Sequence, residues 1–306
     1  MKWKPFLQLI RLPNLLMIIF TQVLVKYHLF EPFGIDVTLS DFDFALLVIS
    51  MVCLAAAGNI INDIHDRRTD AINKPQKLVI GTHISEKTAY NLFFILNILG
   101  VGIGFYLSNL VGKPSFTALF ILPSAFLYFY ATQIKGTVLV GNLVVSIMVA
   151  MIIVMVGIFD LVPAITPENK LTQKVIFSIL IDYAIFAFLL NFLREMVKDQ
   201  EDIKGDYNAG YQTLPVILGR ERTNKIIFLV ALLPLAGALY YIYHYLFENK
   251  IAVWYVMIFV VAPLLYFLVK LTAAKTKDQY HHLSTVLKLV LAAGLISIGL
   301  YRFILL

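Results

Sequence analysis

Nine apolar runs dominate this chain, and they leave few folds open to it. They lie at approximately 12–30, 42–61, 88–107, 115–134, 138–161, 174–194, 223–246, 250–270 and 286–306. Each is long enough to cross roughly 30 Å of hydrocarbon as a helix. Composition points the same way. With 60% hydrophobic and 14% charged residues and a mean hydropathy of +0.82, the 306-residue chain is not an ordinary soluble protein. Lys2, Lys4 and Arg11 ahead of the first run imitate a signal peptide. No small-residue cleavage site follows, however, and the run is of spanning length. The lone Cys53 allows no internal disulfide. The sixth run is the least regular, being interrupted by Asp182, Asn191 and Arg194. Short connections favour one compact bundle of antiparallel neighbours. The expectation is an all-α integral membrane protein, a single domain over 1–306 with nine transmembrane helices.

The basic residues give an orientation. With the amino terminus in the cytoplasm, inside segments carry 19 Lys and Arg and outside segments 5. The first outside loop holds Glu31, Asp36 and Asp41 and no base. Such a bias fits nine spans with the amino terminus inside, in the cell inner membrane. The net charge of +6 is then a topological signal and not a mark of nucleic-acid binding.

Acidic residues are concentrated in two stretches. Asn62-Asp63-Ile64-His65-Asp66-Arg67-Arg68-Thr69-Asp70 follows the second run, and Asp199-Gln200-Glu201-Asp202-Ile203-Lys204-Gly205-Asp206 follows the sixth. Both read Asp-x2-Asp-x3-Asp. Asp63 and Asp199, Asp66 and Asp202, and Asp70 and Asp206 are each 136 residues apart. On a helix, positions i, i+3 and i+7 fall within about 60° of one another, so each copy is expected to present three carboxylates on one face. Four spans separate the copies, which makes them a parallel internal repeat. At the bilayer centre each aspartate would cost about 2.5–3.5 kcal/mol, and the run boundaries place all six at the cytoplasmic mouth instead.

Clustered carboxylates repel one another unless cations are supplied. Mg²⁺ typically takes a few carboxylates together with substrate phosphates, whereas the Gly and terminal Glu of a calcium loop are missing here. Two facing sets suit Mg²⁺ ions bridging a diphosphate. Around them stand Arg67, Arg68, Lys74, Lys77, Arg194, Lys198 and Lys204. Lys198 lies one helical turn before Asp202, with Arg194 one turn earlier. Lys135, after Tyr128-Phe129-Tyr130, ends the fourth run within reach of a phosphate. If all eight bases approach the cavity, positive charge remains to receive a phosphate on a second substrate. His65 has no second His or Cys nearby and reads as a bystander. Phe93, Phe94, Phe126, Phe129, Phe186, Phe188 and Phe192 are candidates to line an apolar tail channel.

These residues resemble a known family. Asn62-Asp63-x2-Asp66-x3-Asp70 followed by Asn73-Lys74-Pro75, with Arg194-Glu195-x2-Lys198-Asp199-x2-Asp202-x2-Gly205-Asp206, looks like the UbiA superfamily of intramembrane prenyltransferases. Arg11-Leu12-Pro13-Asn14 resembles that family's opening. Tyr130-Ala131-Thr132-Gln133-Ile134-Lys135 resembles its Tyr-Ser-x-x-Leu-Lys turn, with Ala131 in place of the Ser. The resemblance implies nine helices around a central cavity, a lateral opening to membrane lipid, and Mg²⁺-dependent transfer of a prenyl group from a prenyl diphosphate. By it, Asn62, Asp66, Asp70, Asp202 and Asp206 hold the metal and diphosphate, with Asp199 beside them. Arg11, Tyr130, Lys135 and Lys198 assist at the diphosphate, and Arg67 and Arg194 join them as candidates from their place beside the motifs. Asp66, Asp70, Asp202, Asp206 and Lys198 are the catalytic candidates. The form of the second motif most resembles the branch that alkylates geranylgeranylglycerol phosphate. Aromatic acceptors of quinone synthesis are the alternative within the family. A cation-coupled transporter is the alternative of another class, and the parallel repeat with its charge at one mouth argues against it.

Overall fold

In the computed structural model, residues 3–73 and 75–305 are described. Lys2 and Lys74, counted above among the bases, lie outside the described residues, as do the side chains of Lys77 and Arg302. Among the described residues there is no β-strand, and nine helices are long and apolar enough to cross a membrane. They are α1 (Leu12–Phe33), α2 (Asp41–His65), α3 (Glu86–Leu110), α4 (Pro114–Ile134), α5 (Val140–Asp160), α6 (Lys170–Asn208), α7 (Arg220–Leu246), α8 (Lys250–Ala273) and α9 (Lys277–Tyr301). All nine expected runs are present. The helices differ from them mainly in their polar extensions.

Local chemistry sets several starts. Ser40 Oγ accepts the Asp43 N–H at 3.2 Å, and Asp41 and Asp43 place negative charge in the first turn of α2. Ser85 does the same for Thr88 at 3.1 Å ahead of α3, with Glu86 in the first turn. Asn249 Oδ1 accepts the Ala252 N–H at 3.0 Å and starts α8. Within the bundle, Ser50 Oγ of α2 donates to the Gly100 carbonyl of α3 at 2.7 Å, where the small residue lets the helices approach.

One helix organises the bundle. α6 has 39 residues, so by its rise it is about 58 Å long, nearly twice the hydrocarbon thickness. Its first half, with Ile176, Leu180, Ala184 and Ala187, packs into a core shared with α1 to α5. Its second half, from Leu190 to Val197, packs into a core with α7, α8 and α9. The polar remainder carries the second aspartate motif beyond both cores. At the other end of the bundle, the buried Asp160 at the close of α5 fixes the loop before α2. Its Oδ1 accepts the Leu39 N–H at 2.9 Å, and Lys26 approaches Oδ2 at 3.7 Å while donating to the Leu39 carbonyl at 2.7 Å. That lysine is buried with its charge compensated, as membrane burial demands.

The two motifs are not built alike. The second lies within α6 as one continuous helix, as its spacing suggests. The first does not. α2 ends at His65, Asp66 adopts φ −80° and ψ −1°, and a separate short helix runs Arg67–Asn73. Asp63 and Asp70 therefore belong to different elements, contrary to the expectation of one face. The break redirects the chain toward α6, where Asn73 makes its bonds.

Candidate active site

Three local features bring the site together at one end of the bundle. The first is the face of α6. Phe188, Phe192, Glu195, Asp199, Asp202 and Asp206 fall within about 80° on the helical wheel, so the carboxylates and the aromatic pair share one side. Phe188 and Phe192 are stacked with centroids 6.0 Å apart. The other candidate tail residues divide: Phe94, Phe126 and Phe129 are exposed on the bundle surface, Phe93 is buried beside Phe94, and Phe186 packs against Gly294.

The second feature is a wide π-helical turn, Tyr130–Ile134, at the end of α4, closed by Lys135 N–H to the Tyr130 carbonyl at 2.9 Å. Such turns are frequent at functional sites. This one aims Lys135 at α2, where its ammonium pairs with Asp66 Oδ2 and donates to Asn62 Oδ1 at 3.1 Å. Burial works against the Lys135 charge, but the Asp66 carboxylate beside it raises its pKa on balance. Asn62 Nδ2 donates to the same Asp66 Oδ2 at 2.7 Å. Asp66 Oδ1 is buried and has no hydrogen-bond partner. The Tyr130 ring lies against Gly141, within electrostatic reach of Lys135, Asp66, Glu195 and Asp199.

The third is the loop after α6. Tyr211 N–H donates to the Asp206 carbonyl at 2.9 Å, Gln212 N–H donates to the Gly136 carbonyl at 2.8 Å, and the Tyr211 ring covers Gly136. Burial raises the Tyr211 phenol pKa, and the charges of Asp66, Asp206 and Asp70 raise it further against Lys135. The two copies meet through Asn73, whose side chain bonds the Asp202 carbonyl and the Gly205 N–H, both at 3.0 Å.

Several aspartates have partners within the bundle. Asp63 Oδ1 pairs with Arg11 Nη2 at 2.7 Å. Arg11 holds the left-handed conformation φ 53°, ψ 54°, which is uncommon outside glycine, at the cap of α1. Asp199 Oδ2 accepts from Asn142 Nδ2 at 2.8 Å, and Asp206 Oδ2 from Thr213 Oγ1 at 3.3 Å. Glu195 Oε1 takes Lys198 Nζ at 2.7 Å and Arg194 Nη1 at 3.3 Å, while Arg194 Nε is buried without a hydrogen-bond partner.

Not every expected base is here. Arg67 turns away from the aspartates, pairing with Glu86 at 2.7 Å and lying across Gly81. Arg68 and Lys204 are exposed. The eight-base surplus inferred from sequence is thus not assembled, and Arg11, Lys135, Arg194 and Lys198 are the bases grouped with the carboxylates. Sequence reasoning missed Tyr211 and Asn142, which lie outside the repeated spacing. It also gave no role to Glu195 or Asn73, although both stand within the motifs.

Among the described residues, no three His, Cys, Asp or Glu side chains already converge as a ready metal site. The carboxylates take the chain's own cations and amides instead. Their chemistry nonetheless fits a hard divalent ion. All the donors are oxygens, they come from the end of α2, the short helix after it and α6, and one carboxylate oxygen of Asp66 is buried without a partner.

The model of the UbiA prenyltransferase family matches residues 32–301. The chain belongs to this family. It is thus an integral membrane prenyltransferase, and UbiA relatives resemble it over most of its length. It is 32% identical to the digeranylgeranylglyceryl phosphate synthase of Methanobrevibacter smithii, over 78% of either chain. The Methanosphaera stadtmanae synthase of the same name is 25% identical over 97% of this chain and 98% of its own. Among solved structures, a digeranylgeranylglyceryl phosphate synthase superposes with a TM-score of 0.65 at 21% identity, covering 97% of this chain and 98% of that one. A UbiA homolog from Archaeoglobus fulgidus bound to GPP and Mg²⁺ gives 0.56 at 17% identity, covering 96% and 99%. At such identities these structures speak to the fold alone.

Proposed function

We propose that this prenyltransferase moves a prenyl group from a prenyl diphosphate to the hydroxyl of a glycerol-phosphate-type acceptor, geranylgeranylglycerol phosphate being the best fit. The observation that carries the reading is the meeting of both aspartate motifs at one end of the bundle, where Asn73 bonds the Asp202 carbonyl and the Gly205 N–H, with Arg194 and its buried Nε about two turns before Asp202 on the same helix. A buried guanidinium donor without an acceptor suits a phosphate oxygen. The names of the curated relatives point to the same acceptor.

In this reading Asn62, Asp66, Asp70, Asp199, Asp202 and Asp206 hold Mg²⁺. The metal, when bound, neutralises charge on the leaving diphosphate as the allylic C–O bond ionises. Lys135, held beside Asp66 and Asn62, is placed to donate to a diphosphate oxygen. Arg11 and Tyr130 close the same side. Phe188 and Phe192 face the apolar tail, about two to three turns deeper than Asp199, and the bundle keeps water from the cation until the acceptor hydroxyl attacks it, its proton passing to the released diphosphate. Lys198 and Arg194, which share Glu195 as their partner, receive the acceptor phosphate. The Asp-bearing end faces the cytoplasm, as the 19-to-5 split of basic residues indicates.

The purified protein in lipid, supplied with Mg²⁺ and one prenyl diphosphate, provides the test. The ratio of kcat/KM for geranylgeranylglycerol phosphate against a hydroxybenzoate or naphthoate is expected to favour the phosphate acceptor strongly. Preference for the aromatic acid would overturn the acceptor. EDTA is expected to abolish transfer, and full activity in its presence would overturn the metal.

A further inference from the structure

The Asn73-Lys74-Pro75 segment has no part in the chemistry above, yet Asn73 makes the most specific contact between the two motifs. Its side-chain Nδ2 donates to the Asp202 carbonyl at 3.0 Å, and its Oδ1 accepts the Gly205 N–H at 3.0 Å. One amide thus grips the single turn of α6 that carries Asp202 and Asp206. Asn73 is also the last residue of the short helix that carries Asp70, one turn back. Its own carbonyl takes Lys277 Nζ from the start of α9 at 2.5 Å, which fixes the amide from behind.

Gly205 is the other half of this contact. A Cβ built there would stand 2.5 Å from Asn73 Cγ, far inside van der Waals contact. Glycine weakens a helix interior, so its presence within α6 needs a packing reason, and the close amide supplies one. The pair is chemically specific. An alanine at 73 has neither donor nor acceptor, an aspartate lacks the donor, and a glutamine sets the amide one methylene too far out. Because the bonds go to main-chain groups of α6, they fix backbone position whatever side chains stand around them.

We propose that Asn73 is a positioning residue that locks the Asp70 helix to α6 at Gly205, setting the gap between the two aspartate sets. The proposal rests on the metal–diphosphate reading of that gap. Carboxylates on two separate elements hold an ion well only when the elements are held in register, and Asn73 is the residue that registers them. It acts through Asp70, Asp202 and Asp206, not on the substrate.

The test uses the full chain in nanodiscs, with Mg²⁺ and inorganic diphosphate as the probe and thermal stabilisation as the readout, so that no turnover is needed. Asn73→Ala is expected to raise half-saturating Mg²⁺ roughly 10-fold, the effect typical of losing a residue that orients metal ligands. Gly205→Ala attacks the lock from the opposite side and is expected to give the same shift. The double variant should be no worse than the larger single shift, because both remove one link. A second readout is geometric. Spin labels on Ile72→Cys and Tyr207→Cys, both exposed, in a Cys53→Ala background report the distance between the two elements. Asn73→Ala should broaden and lengthen that distribution. A lowered metal-free melting temperature with an unchanged Mg²⁺ midpoint overturns the proposal, showing a merely structural contact. An unchanged distance distribution overturns it as well. Absence of any Mg²⁺ response in the wild-type protein overturns the metal reading, and this proposal with it.

Discussion

Asp63 and Asp66 stand one helical turn apart and meet opposite fates. Asp63 is spent on Arg11, 52 residues away in sequence, and anchors the amino-terminal segment to α2. Asn59 helps by donating to the Ile10 carbonyl at 3.0 Å. Asp66 takes Lys135 and Asn62 on one oxygen and keeps the other buried and without a hydrogen-bond partner. Asp66→Asn is therefore expected to lower kcat by roughly 10²–10³-fold or more with the fold intact, the scale of losing one pre-organised charge partner at a reacting centre. Asp63→Asn keeps an acceptor for Arg11 and is expected to cost less than about tenfold, since its charge serves an anchor. Steady-state kinetics on both variants, with a melting curve for each, decides the matter; equal losses would remove the distinction. The shared face of the second motif was legible in the sequence because its periodicity runs within one continuous helix. Which aspartate keeps an open oxygen was not, because that depends on bases contributed by α4 and by the cap of α1.

At the scale of elements, hydropathy located all nine spanning helices but stopped where the membrane stops. α6 continues fourteen residues beyond the expected end at 194, to Asn208, on polar residues that hydropathy cannot distinguish from a loop. The break in the first motif was equally silent, since both copies share one spacing and only one is a continuous helix. A further element boundary stores strain. Leu139 caps α5 at φ 60°, ψ −22°, four residues after Lys135, with its side chain packed against the core of α6 to α9. A left-handed L-residue costs roughly 1–2 kcal/mol, and glycine escapes that cost. Leu139→Ala loses the packing and keeps the strain, whereas Leu139→Gly loses the packing and relieves it. The glycine variant is expected to be more stable than the alanine variant by about 1 kcal/mol, the reverse of their order inside a helix. Denaturant or thermal unfolding of the pair tests this, and alanine ranking first would show that the cap is unstrained.

For the molecule as a whole, the two motifs are a single centre only if they lie on one side of the membrane. Nine spans with the motifs after the second and sixth place them together in any simple up-and-down threading, and the Asn73 bonds to α6 hold them in contact. The arrangement disfavours a transporter, whose opposing halves would carry charge from both faces toward the midplane. Cysteine labelling can read the sidedness, provided the positions tolerate a side chain. Thr69 is buried and Gly205 lies against Asn73, so neither is a suitable site. Ile72 and Tyr207 are 50% and 73% exposed at the Asp-bearing end, and Val37, 39% exposed, sits in the loop at the opposite end. In a Cys53→Ala background, cysteines at 72 and 207 are expected to react with a membrane-impermeant maleimide only in inside-out vesicles. A cysteine at 37 should react only in right-side-out vesicles. Both signs follow from the basic residues, because Lys and Arg near span ends are retained in the cytoplasm during insertion. Labelling of 72 and 207 from opposite faces would divide the site and return the transporter to consideration. Labelling of both from the outside would leave the centre intact and invert the whole bundle, so that the acceptor would have to arrive from the other leaflet.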